Sequence, residues 1–172
     1  MADQDNAQTP PAGNGNGGGA AQQTTPRSDA RVIINTHYIK DLSFENPNAP
    51  AVFAHKEGHQ ISVNIDVRAA HLQDQLYEVL LSIKATTTVA DTTAFLIELD
   101  FASLCTVNAS VSDAERHDLL SVEVPRYLFP FARNIIADVS RDGGYPPLLI
   151  NPVDFAHLRQ QGGQPPQAEA TA

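Results

Sequence analysis

Ile61-Ser62-Val63-Asn64-Ile65-Asp66-Val67-Arg68 alternates without a fault, Ile61, Val63, Ile65 and Val67 on one side and Ser62, Asn64, Asp66 and Arg68 on the other. Successive side chains of a strand point to opposite faces, so this stretch predicts a strand with one dry face and one wet face. Downstream, Tyr77, Val79, Leu81 and Ile83 stand opposite Glu78, Ser82 and Lys84. Thr93, Phe95, Ile97, Leu99 and Phe101 then alternate with Thr92, Ala94, Leu96, Glu98 and Asp100. Upstream, in Val32–Glu45, the even positions Val32, Ile34, Thr36, Tyr38, Leu42 and Phe44 predict the dry face, interrupted by Lys40. The odd positions Asn35, His37, Asp41, Ser43 and Glu45 predict the wet one. Four such segments predict an antiparallel sheet. Val89-Ala90-Asp91 is short enough for a hairpin, whereas Asn46 to Gln60, with Pro47, Pro50 and Gly58, is long enough to cross over the sheet.

Helical signals follow the strands. Ser112-Asp113-Ala114-Glu115 has the spacing of a capping box. Pro125 either opens a second helix or kinks the first, because its missing N–H is tolerated only at a first turn. Leu128, Phe131, Ala132, Ile135 and Val139 then share one helical stripe, which Asp142-Gly143-Gly144 stops. A last short helix is expected from Asn151-Pro152 to just before Gly162, with Phe155 and Leu158 on its apolar face. Strands first and helices afterwards read as an α+β fold, a four-stranded antiparallel sheet with helices packed on one face. The segment 125–141 carries more apolar surface than one stripe, adding Tyr127, Phe129 and Ile136, and a patch of that size usually meets a partner subunit.

Composition sets the boundaries. From Met1 to Ser28 there is no valine, leucine, isoleucine or aromatic residue, and residues 162–172 are similar; seven of the ten glycines lie in these two stretches. Nothing there offsets the ordering entropy of roughly 1–2 kcal/mol per residue, so 1–28 and 162–172 are expected to be disordered tails around one domain at 29–161. Eleven Lys and Arg against twenty Asp and Glu give a formal charge of −9, which argues against a nucleic-acid partner. No window approaches the roughly 20 apolar residues that span a bilayer, and the start of the chain has no basic and apolar export signal. The single cysteine, Cys105, excludes an intrachain disulfide framework, and with no signal visible the expected compartment is the cytoplasm.

Little supports catalysis, a cofactor or a metal. His55 and His59 have i, i+4 spacing, but Gly58 in a polar loop works against the helix that would bring both rings to one ion. Cys105 follows a strand in apolar surroundings, the setting of a packing thiol. No phosphate loop or nucleophile elbow stands at a strand–helix junction. The unusual feature is the wet face. Leu96 is a lone apolar residue there, and Asp41 and Glu45 surround it together with Glu98 if the first and last strands are neighbours. The choice is between a solvated face with a stray leucine and a docking patch for a basic, partly apolar partner. An acidic adaptor or scaffold that binds a single folded partner through this face is one reading of the residues alone.

Two separated stretches carry a resemblance. Tyr38-Ile-Lys-Asp-Leu-Ser-Phe-Glu-Asn-Pro-Asn-Ala-Pro50 resembles the first-strand signature of the SecB family of protein-export chaperones. Leu128-Phe-Pro-Phe-Ala-Arg133, Ser140-Arg141 and Pro147-Leu-Leu-Ile-Asn-Pro-Val-Asp-Phe155 resemble its helix and C-terminal segment. The resemblance runs colinearly from about residue 31 to 160 and is loose over 102–124. It implies a homotetramer, a dimer of dimers, that holds unfolded precursor proteins without ATP and passes them to the SecA ATPase of the translocase. It places the SecA zinc-binding tail on Asp41, Glu45, Leu96 and Glu98. It places clients in apolar grooves near Val52 and Phe53 of the crossover connection and near Phe155 and Leu158 of the last helix. No cofactor, metal or catalytic residue follows from it.

Overall fold

The computed structural model describes residues 30–55 and 58–160, with the backbone of residues 170–171. The two tails expected at 1–28 and 162–172 lie outside the described residues, apart from that short backbone stretch. The long strands are β1 (Val32–Glu45), β2 (Gln60–Gln73), β3 (Leu76–Val89) and β4 (Thr92–Val107). They form one antiparallel sheet in the order β1-β4-β3-β2. β2 to β3 and β3 to β4 are hairpins. Ala90 and Asp91 sit at φ of 47° and 59° in the second turn, the left-handed pair that a tight hairpin needs to match strand twist. The connection from β1 to β2, with a 3₁₀ turn at Ala51–Ala54, takes the chain from one edge of the sheet to the other, as its length and prolines predict.

β1 departs from the simple alternation. Its register against β4 shifts between Ile34 and Thr36 and again between Ile39 and Asp41, so Asn35 and Lys40 are bulged residues. Each bulge inserts one residue and reverses the phase. Between the bulges Thr36 and Tyr38 therefore share the wet face with Leu104 and Ala102, while His37 and Ile39 share the dry face with Ser103 and Phe101. The expectation for Thr36, Tyr38 and His37 is thus reversed. After the second bulge the phase returns, and Asp41, Ser43 and Glu45 face the wet side as expected.

The helical layer covers the dry face. α1 (Asp113–Asp118) opens on Ser112, whose Oγ accepts from the Glu115 N–H at 3.3 Å. α2 (Val124–Asp142) follows without a break, joined by one wide π turn at Leu119–Glu123. Pro125 cannot donate to the Ser121 carbonyl and its ring crowds that group, and widening the preceding turn relieves both problems. Leu128, Ala132 and Ile136 of α2 are fully buried with Ile65, Leu81, Ile83, Ile97 and Leu99 of the sheet. Each buried leucine or isoleucine among them contributes roughly 1.5–3 kcal/mol. Gly143 ends the helix against a ring: a Cβ there would lie 2.2 Å from Phe44 Cζ. The buried Ser140 Oγ accepts from the Leu148 N–H at 2.8 Å and ties the next segment back to α2. β5 (Leu149–Ile150) pairs antiparallel with β6 (Ala170–Thr171).

α3 spans Phe155–Gln160 and starts later than Asn151-Pro152 predicts. Asp154 supplies the cap instead: its Oδ1 accepts from the N–H groups of Ala156 and His157 at 3.0 and 3.1 Å.

Candidate functional site

Because β1 lies beside β4, the wet face resolves into rows that run across the strands. One row reads Asp41, Asp100, Ser82 and Asp66. The next reads Ser43, Glu98, Lys84 and Asn64, and the third Glu45, Leu96, Thr86 and Ser62. The four residues Asp41, Glu45, Leu96 and Glu98 thus occupy neighbouring positions on two adjacent strands. Leu96 is half-buried between the exposed Glu45 and the half-buried Thr86. Such a surface offers carboxylates around a small apolar seat, which suits a basic segment that also carries an apolar side chain.

Residues outside that set complete the surface. Asp100 directly faces Asp41 and accepts from Ser82 Oγ at 2.6 Å. The period of two that selects Leu96 and Glu98 also reaches Asp100, so that residue was within reach of the sequence. Lys84 of β3 is ion-paired with Glu98, while Asp66 pairs with Arg68 at 2.9 Å. Among the described residues, neither Asp41 nor Asp100 has a lysine or arginine partner. A hollow of about 210 Å³ opens above Ser82, lined by Asn64, Asp66, Lys84, Glu98 and Asp100 among others.

On the other side of the sheet the four residues near the crossover and the last helix divide. Val52 is 4% exposed and anchors the 3₁₀ turn, while Phe53 is 49% exposed. The Phe53 ring leans on Tyr145 at 5.1 Å between centroids, and Tyr145 leans in turn on Phe95 at 4.6 Å, both pairs tilted. The Tyr145 hydroxyl donates to Asn46 Oδ1 at 2.8 Å and lies 3.1 Å from the Ala94 carbonyl; burial raises its pKa. Phe155, 1% exposed, meets Phe129 edge to face at 5.9 Å, and Leu158 is 5% exposed. These two therefore pack within the chain and do not stand on open surface. They form part of the wall of a pocket of about 350 Å³ with Val67, His117 and Ser121. A second pocket of about 400 Å³ shares those three and continues past Ala69, Tyr77 and Leu120. Together they make a trough along β2, which is an edge strand. Val52 and Phe53 line neither pocket. The trough residues of β2 and of the π turn escaped the sequence reading, because no local pattern tells which helix lies beside which edge.

A third feature is an apolar patch between β1 and α2. Ile39, Leu42, Tyr127 and Phe131 are 47, 37, 47 and 42% exposed. His37, turned inward by the bulge at Asn35, stacks on Phe131 at 4.7 Å and lies near Phe101 and Tyr127. Cys105 is buried, and burial pushes its thiol up to about 11, far from a reactive thiolate. Among the described residues no group of three or more His, Cys, Asp and Glu is placed to hold a metal, and no helix is long and apolar enough to cross a membrane.

Known proteins resemble this chain along most of its length. The family described as preprotein translocase subunit SecB matches residues 24–165. The protein-export protein SecB of Rhodospirillum rubrum is 44% identical over 88% of this chain and 94% of its own. That of Parvibaculum lavamentivorans is 44% identical over 92% of this chain and 94% of its own. Among solved structures, a SecB-like chaperone of Mycobacterium tuberculosis, in complex with a peptide from the HigA1 antitoxin, superposes with a TM-score of 0.60 at 15% identity. It covers 72% of this chain and 91% of its own, and shows the same fold. A four-stranded antiparallel sheet backed by helices, with the two signature stretches in place and relatives this similar over nearly the whole length, makes the chain a member of the SecB family of protein-export chaperones.

Proposed function

We propose that this chain is an ATP-independent holdase of the cytoplasm that keeps unfolded precursors export-competent and delivers them to SecA, working as a homotetramer built as a dimer of dimers. The observation that carries the delivery reading is the adjacency of β1 and β4, which sets Asp41, Glu45, Leu96 and Glu98 on one exposed face. Four copies at −9 each would carry −36, a field that speeds encounter with a basic tail and weakens with salt.

Client holding follows from the trough and the edge beside it. Among the described residues no strand is hydrogen-bonded to the outer side of β2, so an extended segment is able to add along it by backbone hydrogen bonds while alternate side chains enter the two pockets, whose walls mix apolar and polar groups. Backbone pairing is indifferent to sequence, which is what a chaperone of many clients needs. Roughly 25 cal/mol per Å² of buried apolar area gives affinity that accumulates and stays reversible without a nucleotide. Phe53 adds a separate half-exposed ring at the crossover connection. The patch of Ile39, Leu42, Tyr127 and Phe131 is the surface that a second copy would cover.

The test has two arms. Aggregation of an unrelated denatured protein should be suppressed without ATP, and purified SecA should be retained by the immobilised chaperone. Retention of SecA with no suppression of aggregation would replace the holdase with an adaptor for one folded partner.

A further inference from the structure

The docking surface contains its own cation. Lys84, one of three lysines in the chain, stands directly across from Glu98 on the neighbouring strand and is ion-paired with it. Both side chains keep about half of their surface in water, 56 and 46%. One row away the situation is the reverse. Asp41 and Asp100 face each other as like charges, and among the described residues the only side-chain hydrogen bond to either comes from Ser82 Oγ. Like charges directly opposite on adjacent strands destabilise each other, so a cation delivered between them gains attraction and also relieves repulsion.

We propose that Lys84 is a resident competitor on the docking face: a basic partner has to displace it to engage Glu98, whereas Asp41 and Asp100 offer charge that no resident cation opposes. The proposal rests on the docking reading given above and names the residue that tunes its specificity. A half-exposed pair is weak, so the displacement is possible and its effect modest. The arrangement disfavours partners with a single isolated cation at Glu98 and favours those that reach the Asp41 row. It also makes Glu98 count for more when Lys84 is gone.

A double-mutant cycle with purified SecA as the probe, in one low-salt buffer, tests this. Lys84→Met should tighten SecA binding about two- to five-fold, the range expected for releasing one exposed ion pair. Glu98→Gln should weaken binding less in the wild-type background than in the Lys84→Met background, the two losses differing by a similar factor. Asp100→Asn should weaken binding by more than Glu98→Gln does. Arg126→Gln removes an equal charge from α2, and equal tightening there would overturn the proposal in favour of net charge alone. Additive effects of Lys84→Met and Glu98→Gln would overturn it as well. If Asp41→Lys abolishes SecA binding while the cycle is additive, the docking face stands and only the role of Lys84 falls. If Asp41→Lys has no effect either, both fall together. Suppression of client aggregation, measured on every variant, shows that the fold is intact.

Discussion

The Tyr38 hydroxyl donates to Glu78 Oε1 at 2.5 Å across a whole strand, passing over Ala102, and Lys40 Nζ reaches the other carboxylate oxygen at 2.7 Å. Tyr38 is on β1 and Glu78 on β3, with β4 between them. Tyr38 directly faces Ala102 on β4, a small side chain, and Glu78 lies one row away opposite Leu104, so the bond runs diagonally across β4. The clasp also closes the bulge at Lys40, the irregularity after which Asp41 faces the wet side.

The clasp predicts a late-titrating phenol. The bond to Glu78 pushes the Tyr38 pKa up to about 12, burial and the nearby carboxylate adding to it. A raised pKa in the folded state means that the contribution is complete below the ordinary phenol value of about 10 and is lost as the pH climbs towards 12. Glu78 is shifted the other way, first by Lys40 and then by Tyr38, so its contribution is present above the usual carboxylate value and is lost in acid below it. Absorbance titration of the four tyrosines should show a late part that shrinks in Tyr38→Phe, where Tyr145 remains as a raised phenol, with a stability loss of about 1 kcal/mol at neutral pH. An unchanged titration curve would contradict the clasp.

Phe155 and Phe53 should separate stability from client binding. Phe155 is 1% exposed, so Phe155→Gln removes a packed ring and should cost about 3–5 kcal/mol in a denaturant titration. Phe53 is 49% exposed, so Phe53→Gln should leave the midpoint nearly in place while affinity for an unfolded client falls, about tenfold for each 1.4 kcal/mol of binding free energy removed. A large stability loss at Phe53 with unaltered client affinity would make it another packing residue.

Charge reversal at Asp41 should be selective. Asp41→Lys places a cation beside Asp100, which it would neutralise, and should abolish most SecA binding while aggregation suppression persists. Wild-type binding should weaken as salt is raised from about 50 to 200 mM, because the Debye length shortens over that range. Equal loss of both activities would mean that the substitution had damaged the sheet.

The exposed aromatics of α2 should control assembly. Phe131→Asp introduces a charge beside Tyr127 and His37 into the patch assigned to a second copy. If the proposed tetramer forms through this patch, the native mass should fall below that of four subunits, while the far-ultraviolet circular dichroism of the sheet and helices is retained. A full-sized assembly in this variant would move the interface elsewhere.

What the sequence determined by itself is the part of the structure that is written locally. Period two in residues 61–68, 77–84 and 92–101 specified strands and their buried faces, since the pleat forces alternation wherever one face is dry. Ser112 and Glu115 specified the start of the first helix, and the length of 46–60 pointed to a crossing connection. Tertiary structure decided what depends on neighbours distant in the chain. The bulges at Asn35 and Lys40 turned His37 and Ile39 inward and Tyr38 outward, and the second restored the phase for Leu42 and Phe44. The start of α3 passed from Asn151-Pro152 to Asp154, whose carboxylate accepts from the N–H groups of Ala156 and His157. The adjacency of β1 and β4, which gathers Asp41, Glu45, Leu96 and Glu98, and the pairing of Lys84 with Glu98 are settled only by strand order. Strand order is fixed by packing of the whole dry face under α2, and no stretch of sequence carries that information alone.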